Sequence, residues 1–156
     1  MLPVNSISLV ASQGIEGNGR YFGRTSSTNG QPSRRQVSLI ERETLSEHAA
    51  ALHVDDFAPG AVRSNIETEG VNLMEFIGKK IRVGSAVLEF YAPRDPCSKM
   101  EALASGLKVR MMKGRQGVLA TVLTSGVVRV GDTLSPTGGE AMELPSARTG
   151  SGDDSE

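Results

Sequence analysis

The sequence lacks tryptophan, contains one cysteine and has few aromatic residues, with four Phe and two Tyr among its 156 residues. A single cysteine excludes an intramolecular disulfide, so the hydrophobic 38% of the chain must supply the core that holds the fold together. Few aromatic rings provide poorly for base stacking, and a net charge of −1 is far from the strongly basic surface of a nucleic-acid-binding protein. We therefore expect no nucleic-acid partner.

Long apolar runs are missing as well. The opening Met1-Leu2-Pro3-Val4 is too short for the hydrophobic region of a secretory signal. No segment approaches the roughly 20 apolar residues of a transmembrane helix. We expect no membrane association, and a chain without disulfides suits a reducing compartment, most simply the cytoplasm.

Charge is distributed unevenly along the chain. Residues 135–156 carry five carboxylates against one arginine, Arg148, so the remainder is mildly basic and would suit an anionic small molecule. The same C-terminal run is rich in glycine, proline and serine and cannot bury a core. The sequence therefore predicts one domain over residues 1–135 and a disordered acidic tail over residues 136–156.

Eighteen glycines and many short apolar stretches favour β structure. Turn signals at Gly84-Ser85 and Ser125-Gly126 predict two hairpins. Because closure removes exposed strand edges, we expect a mostly β, mixed α+β domain, built as a compact closed β-barrel with a few short helices. The predicted strands cover residues 4–10, 36–40, 62–68, 80–83, 86–91, 118–124 and 127–130.

Helices are predicted over residues 41–52, where apolar residues recur on one face, and over residues 98–107, with Ser98 as a candidate N-cap. His48 and His53 are five residues apart, so they do not share the helix face that a pair of metal ligands needs. Solvated or capping roles are expected for both histidines.

Cys97 is the candidate reactive residue. It stands in Pro93-Arg94-Asp95-Pro96-Cys97-Ser98-Lys99, after a predicted strand and before a predicted helix. The two prolines restrict the loop. Arg94, Lys99 and a helix N-terminus would favour the thiolate, which is the form that attacks sulfur or binds a soft metal. A lone cysteine is also often a small buried hydrophobic residue, so both interpretations stay open.

Several arginines lie beside glycines, strand ends or polar loops, where guanidinium groups and backbone amides can grip phosphate together. Taken singly, each of them is better explained as an ordinary surface residue. These candidates are Arg20, Arg34, Arg35, Arg63 and Arg115.

The chemistry-bearing motifs follow one another in a definite order. They are Gly14-x-x-Gly17 with Arg20, Arg35-Gln36-Val37-Ser38-Leu39, Arg63-Ser64-Asn65-Ile66, Gly78-x-x-Ile81-Arg82-Val83-Gly84, Pro96-Cys97 and Gly131-Asp132. Each motif is weak alone, but their order and spacing over about residues 4–134 resemble the molybdenum-cofactor sulfurase C-terminal (MOSC) domain. Two positions depart from the family pattern: Asn18 stands where many relatives carry an acidic residue, and Gln116 replaces a glycine.

This resemblance implies a β-barrel-like fold that holds the molybdenum cofactor in its pterin form, with an essential cysteine near the metal. Carried over by position, Cys97 would be the metal ligand or a persulfide carrier, and Arg63-Ser64-Asn65 would contact the cofactor. Our electrostatic candidates for the cofactor phosphate are Arg20, Arg35 and Arg115.

The family's proposed activities are sulfur delivery through a cysteine persulfide and molybdenum-dependent reduction of N-hydroxylated compounds. Nothing in the chain resembles a desulfurase, flavin or haem module, so either activity would need a sulfur-donor or electron-donor protein. Two alternatives without catalysis remain open: a cofactor carrier, and a β-barrel binding module for RNA or a protein.

Overall fold

The computed structural model describes residues 4–18, 22–25, 29–112 and 115–137, together with the backbone of Ala147–Arg148. The strands are β1 (Ser6–Val10), β2 (Gly14–Ile15), β3 (Val37–Glu41), β4 (Ile66–Thr68), β5 (Lys80–Val83), β6 (Ala86–Pro93), β7 (Val118–Thr124), β8 (Gly126–Arg129), β9 (Leu134–Pro136) and β10 (Ala147–Arg148). The helices are α1 (Arg42–Ala51), α2 (Ser98–Leu103) and α3 (Leu107–Arg110), with a 3-10 helix at Leu73–Phe76.

The described strands form two sheets. The smaller has the spatial order β2-β1-β8, and the larger has the order β10-β4-β3-β7-β6-β5-β9. Neighbouring strands pair antiparallel, except that β3 and β4 are parallel. Because a parallel pair needs a crossover connection, the chain passes through α1 between them.

Alternating burial explains most of the strands. In β5, Ile81 and Val83 are buried and the two intervening residues are exposed, as expected of a sheet with one buried face. In β3 the first four residues are all buried. Leu39 belongs to the main core between the strands, and Ile40 belongs to a second core beneath the helices. β3 is therefore packed on both faces.

The prediction of a mostly β, mixed α+β domain with few helices is confirmed, but the closed barrel is wrong. The sheet curls into a half-barrel and, within the described residues, its outermost strands β10 and β9 do not pair. β9 ends at Pro136, which has no N–H to offer a further strand. Residues of the three helices share the second core with Ile40 and cover one face of β3.

The first predicted hairpin is confirmed, since β5 and β6 pair around Gly84-Ser85. The second is wrong, because β7 pairs with β3 and β6 while β8 pairs with β1 in the smaller sheet. Gly126 provides the reason. A Cβ atom at this position would lie 2.4 Å from the carbonyl carbon of Ser85, so the chain is packed against the β5–β6 turn and leaves the larger sheet there.

The helix predicted over residues 41–52 is confirmed as α1. The helix predicted over residues 98–107 is instead two short helices, because Gly106 adopts a φ of 91° between α2 and α3. The N-cap of α2 is Cys97 and not Ser98. None of the helices in the described ranges has both the length and the apolar character needed to cross a bilayer.

His48 is fully buried, so the expected solvated or capping role is wrong for this residue. Its Nδ1 accepts a hydrogen bond from Arg110 Nε at 3.1 Å, and its Nε2 lies 2.9 Å from the carbonyl oxygen of Arg115. Because a carbonyl can only accept, Nε2 carries the proton and the ring is neutral. His48 therefore joins α1 to α3 and to the loop before β7.

Two parts of the predicted acidic tail over residues 136–156 are described. Pro136 ends β9, and the backbone of β10 pairs antiparallel with β4. Residues 138–146 and 149–156 of the tail lie outside the described residues. The domain boundary after residue 135 and the disorder of the remaining tail therefore stay predictions.

Gly117→Ala tests how closely the loop before β7 approaches β3. Gly117 has a φ of 85°, and a Cβ atom there would lie 1.9 Å from the carbonyl oxygen of Leu39. We expect the free energy of unfolding to fall by about 3 kcal/mol or more, because a backbone clash adds to the cost of a positive φ. Gly30→Ala is the matched control, since Gly30 has a φ of 72° but open space around it. Urea unfolding measures both variants, and equal losses would contradict this packing.

Acidification is expected to weaken the fold through His48. Burial, with smaller contributions from Arg110 and Arg115, lowers the pKa of His48 below its ordinary value of 6.5, so the unfolded chain binds the proton more readily. The contribution of His48 is therefore complete above pH 6.5, declines as the pH falls towards the folded-state pKa, and levels off below it.

Urea unfolding between pH 8 and pH 5.5 (about the range in which histidine titrates) checks this expectation. His48→Gln should remove this part of the pH dependence. His53→Asn should retain it, because His53 is exposed. The assignment fails if the two variants show the same pH profile.

Candidate functional site

A cavity of about 340 Å³ lies over the start of β3 and is the candidate functional site. This volume is within the range of small-molecule sites. Four stretches of chain surround it: Asn18 after β2, the start of β3, the segment before β4 and the segment between β6 and α2. The lining residues are Asn18, Arg35, Gln36, Val37, Ser38, Arg63, Asn65, Arg94, Asp95, Cys97, Ser98, Lys99 and Met100.

Cys97 lies in the wall of this cavity and is exposed. As the N-cap of α2, it accepts a 3.0 Å hydrogen bond from the Met100 N–H at its carbonyl oxygen. Met100 is buried in the second core and anchors the first turn of the helix, while Pro96 restricts the backbone on the other side. The side chain of Cys97 does not cap the helix. The position of the thiol is therefore set by the backbone of the loop.

Arg63 has a left-handed backbone conformation, with a φ of 62°. Its N–H donates to the carbonyl oxygen of Gly60 at 3.0 Å, which closes a tight turn directly before the Ser64-Asn65 pair. This conformation is unfavourable for an arginine by about 1–3 kcal/mol, and such strain persists only where surrounding contacts enforce it.

A buried carboxylate enforces the conformation of this segment. Glu67 of β4 is 3% exposed; its Oε2 accepts from the Gly60 N–H at 3.0 Å, and its Oε1 lies 3.2 Å from Arg42 Nη1. Arg42 of α1 also pairs with Asp56 at 3.0 Å and donates to the carbonyl oxygen of Phe57. The loop over residues 56–60 is thus fixed to both α1 and β4, and it delivers Arg63 to the cavity.

Arg94 connects the two sides of the cavity. Its Nη1 donates to Ser64 Oγ at 3.1 Å and lies 3.4 Å from the carbonyl oxygen of Arg63 and 3.5 Å from that of Val62. Its own N–H donates to the carbonyl oxygen of Gly117 at 3.0 Å. Arg94 is buried, and it stands three residues before Cys97. The spacing between the thiol and the Arg63 segment therefore depends on this guanidinium group.

Asn65 is fixed against β3. Its Oδ1 accepts from the Ser38 N–H at 2.8 Å and from the Ser38 hydroxyl at 3.1 Å. Its backbone N–H lies 3.0 Å from the Ser38 carbonyl oxygen and 3.1 Å from Ser38 Oγ. The amide of Asn65 is therefore oriented with its carbonyl oxygen towards β3, at the wall of the cavity.

The cavity is electropositive. Its lining contains four cationic side chains against one carboxylate, Asp95. Next to Arg35 in the sequence, the Arg34 guanidinium stacks 4.3 Å from the centroid of the Tyr91 ring. Burial raises the pKa of Tyr91, and the charges of Arg35 and Arg34 oppose that rise. Such a surface favours an anionic ligand.

The structure brings together most of the residues singled out from the sequence. Cys97, Arg35, Arg63 and Asn65 line the cavity, and Ser64 is buried behind it, bonded to Arg94 as described. Arg115 is not at the cavity. It pairs with Glu47 of α1 at 3.0 Å, because the loop before β7 is packed against α1 through His48. Arg20 lies outside the described residues.

Some cavity residues were missed from the sequence. Arg94 was considered only as a charge near the thiol, whereas the structure shows a buried brace. Asn18 is also buried at the cavity and was noted only as a departure from the family pattern. Gln36 spans two elements, with its Nε2 donating to the Ser33 carbonyl oxygen at 2.7 Å and its Oε1 accepting from the Val122 N–H at 2.9 Å. No local spacing rule indicates contacts of this kind.

The donor atoms at the cavity restrict the kind of metal that fits it. Among the residues that the structure describes, no group of three or more His, Cys, Asp or Glu side chains is placed to hold a metal ion. Cys97 offers one soft sulfur donor. A metal bound there would take most of its ligands from a chelating group, and an anionic chelator would suit the arginines.

Comparison with known proteins identifies one family and several solved structures with a similar fold. The model of the MOSC domain matches residues 23–135. The fold is similar to that of the YuaD protein from Bacillus subtilis, with a TM-score of 0.69, 21% identity and coverage of 84% of each chain. It is also similar to YiiM from Escherichia coli (TM-score 0.62, 23% identity, 90% of this chain and 67% of that one).

YiiM from Geobacillus stearothermophilus is a further similar structure, with a TM-score of 0.60 and 22% identity. There the match covers 67% of this chain and 55% of that one, so the chain spans little more than half of that protein. A search of curated proteins gives no match.

Arg63→Gly is expected to separate backbone strain from charge. Glycine accepts a positive φ readily, so Arg63→Gly should be more stable than Arg63→Ala by about 1 kcal/mol. Both variants should bind inorganic pyrophosphate roughly tenfold or more weakly than the wild type, since a charge-assisted hydrogen bond contributes about 1.5–3 kcal/mol. Urea unfolding and calorimetric titration measure the two effects. If Arg63→Gly and Arg63→Ala are equally stable, the backbone of Arg63 is not strained. If both variants bind pyrophosphate as tightly as the wild type, Arg63 is not part of the anion site.

Proposed function

Because the chain belongs to the MOSC domain family, which is associated with proteins that bind the molybdenum cofactor, we propose that the cavity beside Cys97 binds this cofactor. In this proposal the cationic side chains hold its phosphate, and the Cys97 thiolate is the protein ligand of the metal. One observation carries the proposal: a single exposed soft donor shares a small cavity with four cationic groups.

The chemistry of the donor set fits the molybdenum cofactor. Its pterin carries dithiolene sulfurs that already chelate the metal, so the protein needs to add few ligands, and Cys97 is the soft donor present. When bound, the cofactor would supply two-electron redox chemistry at molybdenum.

Different residues of this chain would bind different parts of the cofactor. Arg63 and Arg35 would bind the phosphate, since planar guanidinium groups donate in pairs to phosphate oxygens. Asn65 would contact the cofactor from its fixed position on Ser38. Arg94 would set the distance between that anion site and Cys97, because its side chain bonds to one segment and its backbone leads into the other.

Reduction of an N-hydroxylated compound is the reaction that we assign to this arrangement. It converts R–NH–OH, two protons and two electrons into R–NH₂ and water. The electrons would come from a separate donor protein. This reaction would make the chain a molybdenum-dependent oxidoreductase subunit.

Sulfur transfer is the second candidate, and the exposure of Cys97 supports it. The Cys97 thiolate would take the outer sulfur from a donor persulfide, which leaves as a thiol. The sequence has no other cysteine, so a Cys97 persulfide cannot be discharged by a second thiol of the same chain. Here the partner would be a sulfur-donor protein.

Metal and pterin analysis tests the proposal directly. We expect protein purified from a host that makes the cofactor to carry molybdenum and pterin in equal amounts. Cys97→Ser should lose most of the molybdenum together with the pterin that chelates it, because the thiolate that attaches the cofactor to the protein is gone. Arg63→Gln should lose both components, because the phosphate contact is weakened. Metal spectrometry and fluorescence of the oxidised pterin give the two amounts.

Arg115→Gln is the matched control, since it removes a guanidinium group that lies apart from the cavity and should retain both components. The proposal fails if the wild type carries neither component, or if Cys97→Ser retains as much molybdenum as the wild type. Cyanide then separates the two roles of Cys97, because it releases thiocyanate from a persulfide and none from a thiolate ligand.

A further inference from the structure

Two segments of the chain have nearly the same order of residues and meet at one cleft. Residues 81–85 and 128–132 each consist of an apolar residue, an arginine, a valine, a glycine and a polar residue. The glycine has a positive φ in both, 60° at Gly84 and 97° at Gly131, so each segment turns soon after its arginine. Residues of both segments line a cleft of about 290 Å³.

This cleft is separate from the Cys97 cavity. Of the residues that the structure describes, none lines both. β6 begins directly after Ser85 of the cleft and ends directly before Arg94 of the cavity. At about 3.3 Å per residue, the length of this strand separates the two sites by roughly 23 Å.

Hydrogen bonds to β8 fix the walls of the cleft. Ser85 Oγ accepts from the Val127 N–H at 2.8 Å, and Asp132 Oδ2 accepts from the Arg129 N–H at 2.7 Å. A Cβ atom on Gly84 would lie 2.5 Å from Asp132 Oδ2, so the first turn approaches this carboxylate as closely as a glycine allows. The Asp132 carboxylate is therefore held at the wall by the backbone around it.

The two arginines of the cleft are exposed. Within the described ranges, neither Arg82 nor Arg129 forms an ion pair, and the side chain of Asp132 bonds to a backbone N–H instead. The hydroxyl groups of Thr133 and Ser135 line the same cleft, and Ser135 lies opposite Arg82 in the β5–β9 pair. The lining thus has two cations against one carboxylate, with hydroxyl donors beside them.

We propose that this cleft is a second anion site, which binds a phosphate group, either as inorganic phosphate or at the end of a small polar ester. Guanidinium groups donate in pairs to phosphate oxygens, and hydroxyl groups add single donors. Arg82 belongs to the larger sheet and Arg129 to the smaller, so the bound group joins the two sheets. The inference is independent of the proposed function, because the cleft shares no residue with the Cys97 cavity.

Titration of the backbone amide chemical shifts with sodium phosphate tests the site residue by residue. We expect saturable shifts at Ser85 and Thr133, which sodium chloride of equal ionic strength does not produce. R82Q/R129Q should bind phosphate about tenfold or more weakly, because two charge-assisted interactions are lost. D132N should bind it roughly two- to fivefold more tightly, the range typical of exposed charges, since asparagine still accepts from the Arg129 N–H but carries no charge.

K79Q/K80Q is the matched control. It removes the same number of positive charges at the start of β5, but neither lysine lines the cleft, so phosphate binding should be retained. Arg63→Gln should also leave the shifts at the cleft unchanged. The inference is overturned if phosphate causes no saturable shift, if chloride acts equally, or if the two double variants lose binding equally. Loss of folding cannot imitate the tighter binding expected of D132N.

Glycerol phosphate distinguishes the two sources of the phosphate group. Tighter binding than inorganic phosphate, with shifts at further residues of the cleft, indicates an ester as the ligand. Equal or weaker binding indicates inorganic phosphate. Binding of neither compound at the cleft overturns the inference, whether or not the protein carries molybdenum.

Discussion

The hydrogen bonds of Arg94 hold the candidate site together. The guanidinium group donates to Ser64 Oγ at 3.1 Å and lies beside the carbonyl oxygens of Arg63 and Val62, while the backbone of Arg94 is tied to Gly117 and leads to Cys97. These groups are buried, so without the guanidinium they would have neither this donor nor ready access to water. Arg94, through its side chain and its backbone together, thus couples the anion-binding segment, the loop before β7 and the thiol into a single unit.

β3 and the contacts of the segment before β4 hold this unit in place. β3 is packed on both faces by two separate cores, and Ser38 on this strand fixes Asn65 by hydrogen bonds to its side chain and backbone. The strained backbone of Arg63 is sustained by the buried Glu67 carboxylate and by Arg42. Strain that is enforced by several independent contacts is typical of functional sites, where it pre-organises a side chain for a ligand.

Fold and site rest on different kinds of support. The similar solved structures are 21–23% identical to this chain and show the architecture alone, and the family match over residues 23–135 shows the kind of domain. The proposed binding of an anion and a soft metal is supported by the residues themselves: four cations, one carboxylate and one exposed thiol around the same cavity. Fold similarity does not supply this chemistry, because unrelated activities occur on a shared fold.

The sequence by itself determined the local elements and the family. The two-residue period of Lys80–Val83, the turn at Gly84-Ser85 and the helix over residues 41–52 follow from side-chain spacing and turn chemistry within a few residues. Cys97 and Arg63-Ser64-Asn65 were found because they stand in short motifs in a fixed order. Only the tertiary structure decided how distant segments meet. In the tertiary structure the expected barrel is open and β8 pairs with β1. His48 is buried between α1 and α3, and Arg115 lies away from the cavity. Arg94 braces the cavity through its bond to Ser64. Each of these outcomes depends on packing between residues far apart in the chain, and periodicity within one segment carries no information about that packing.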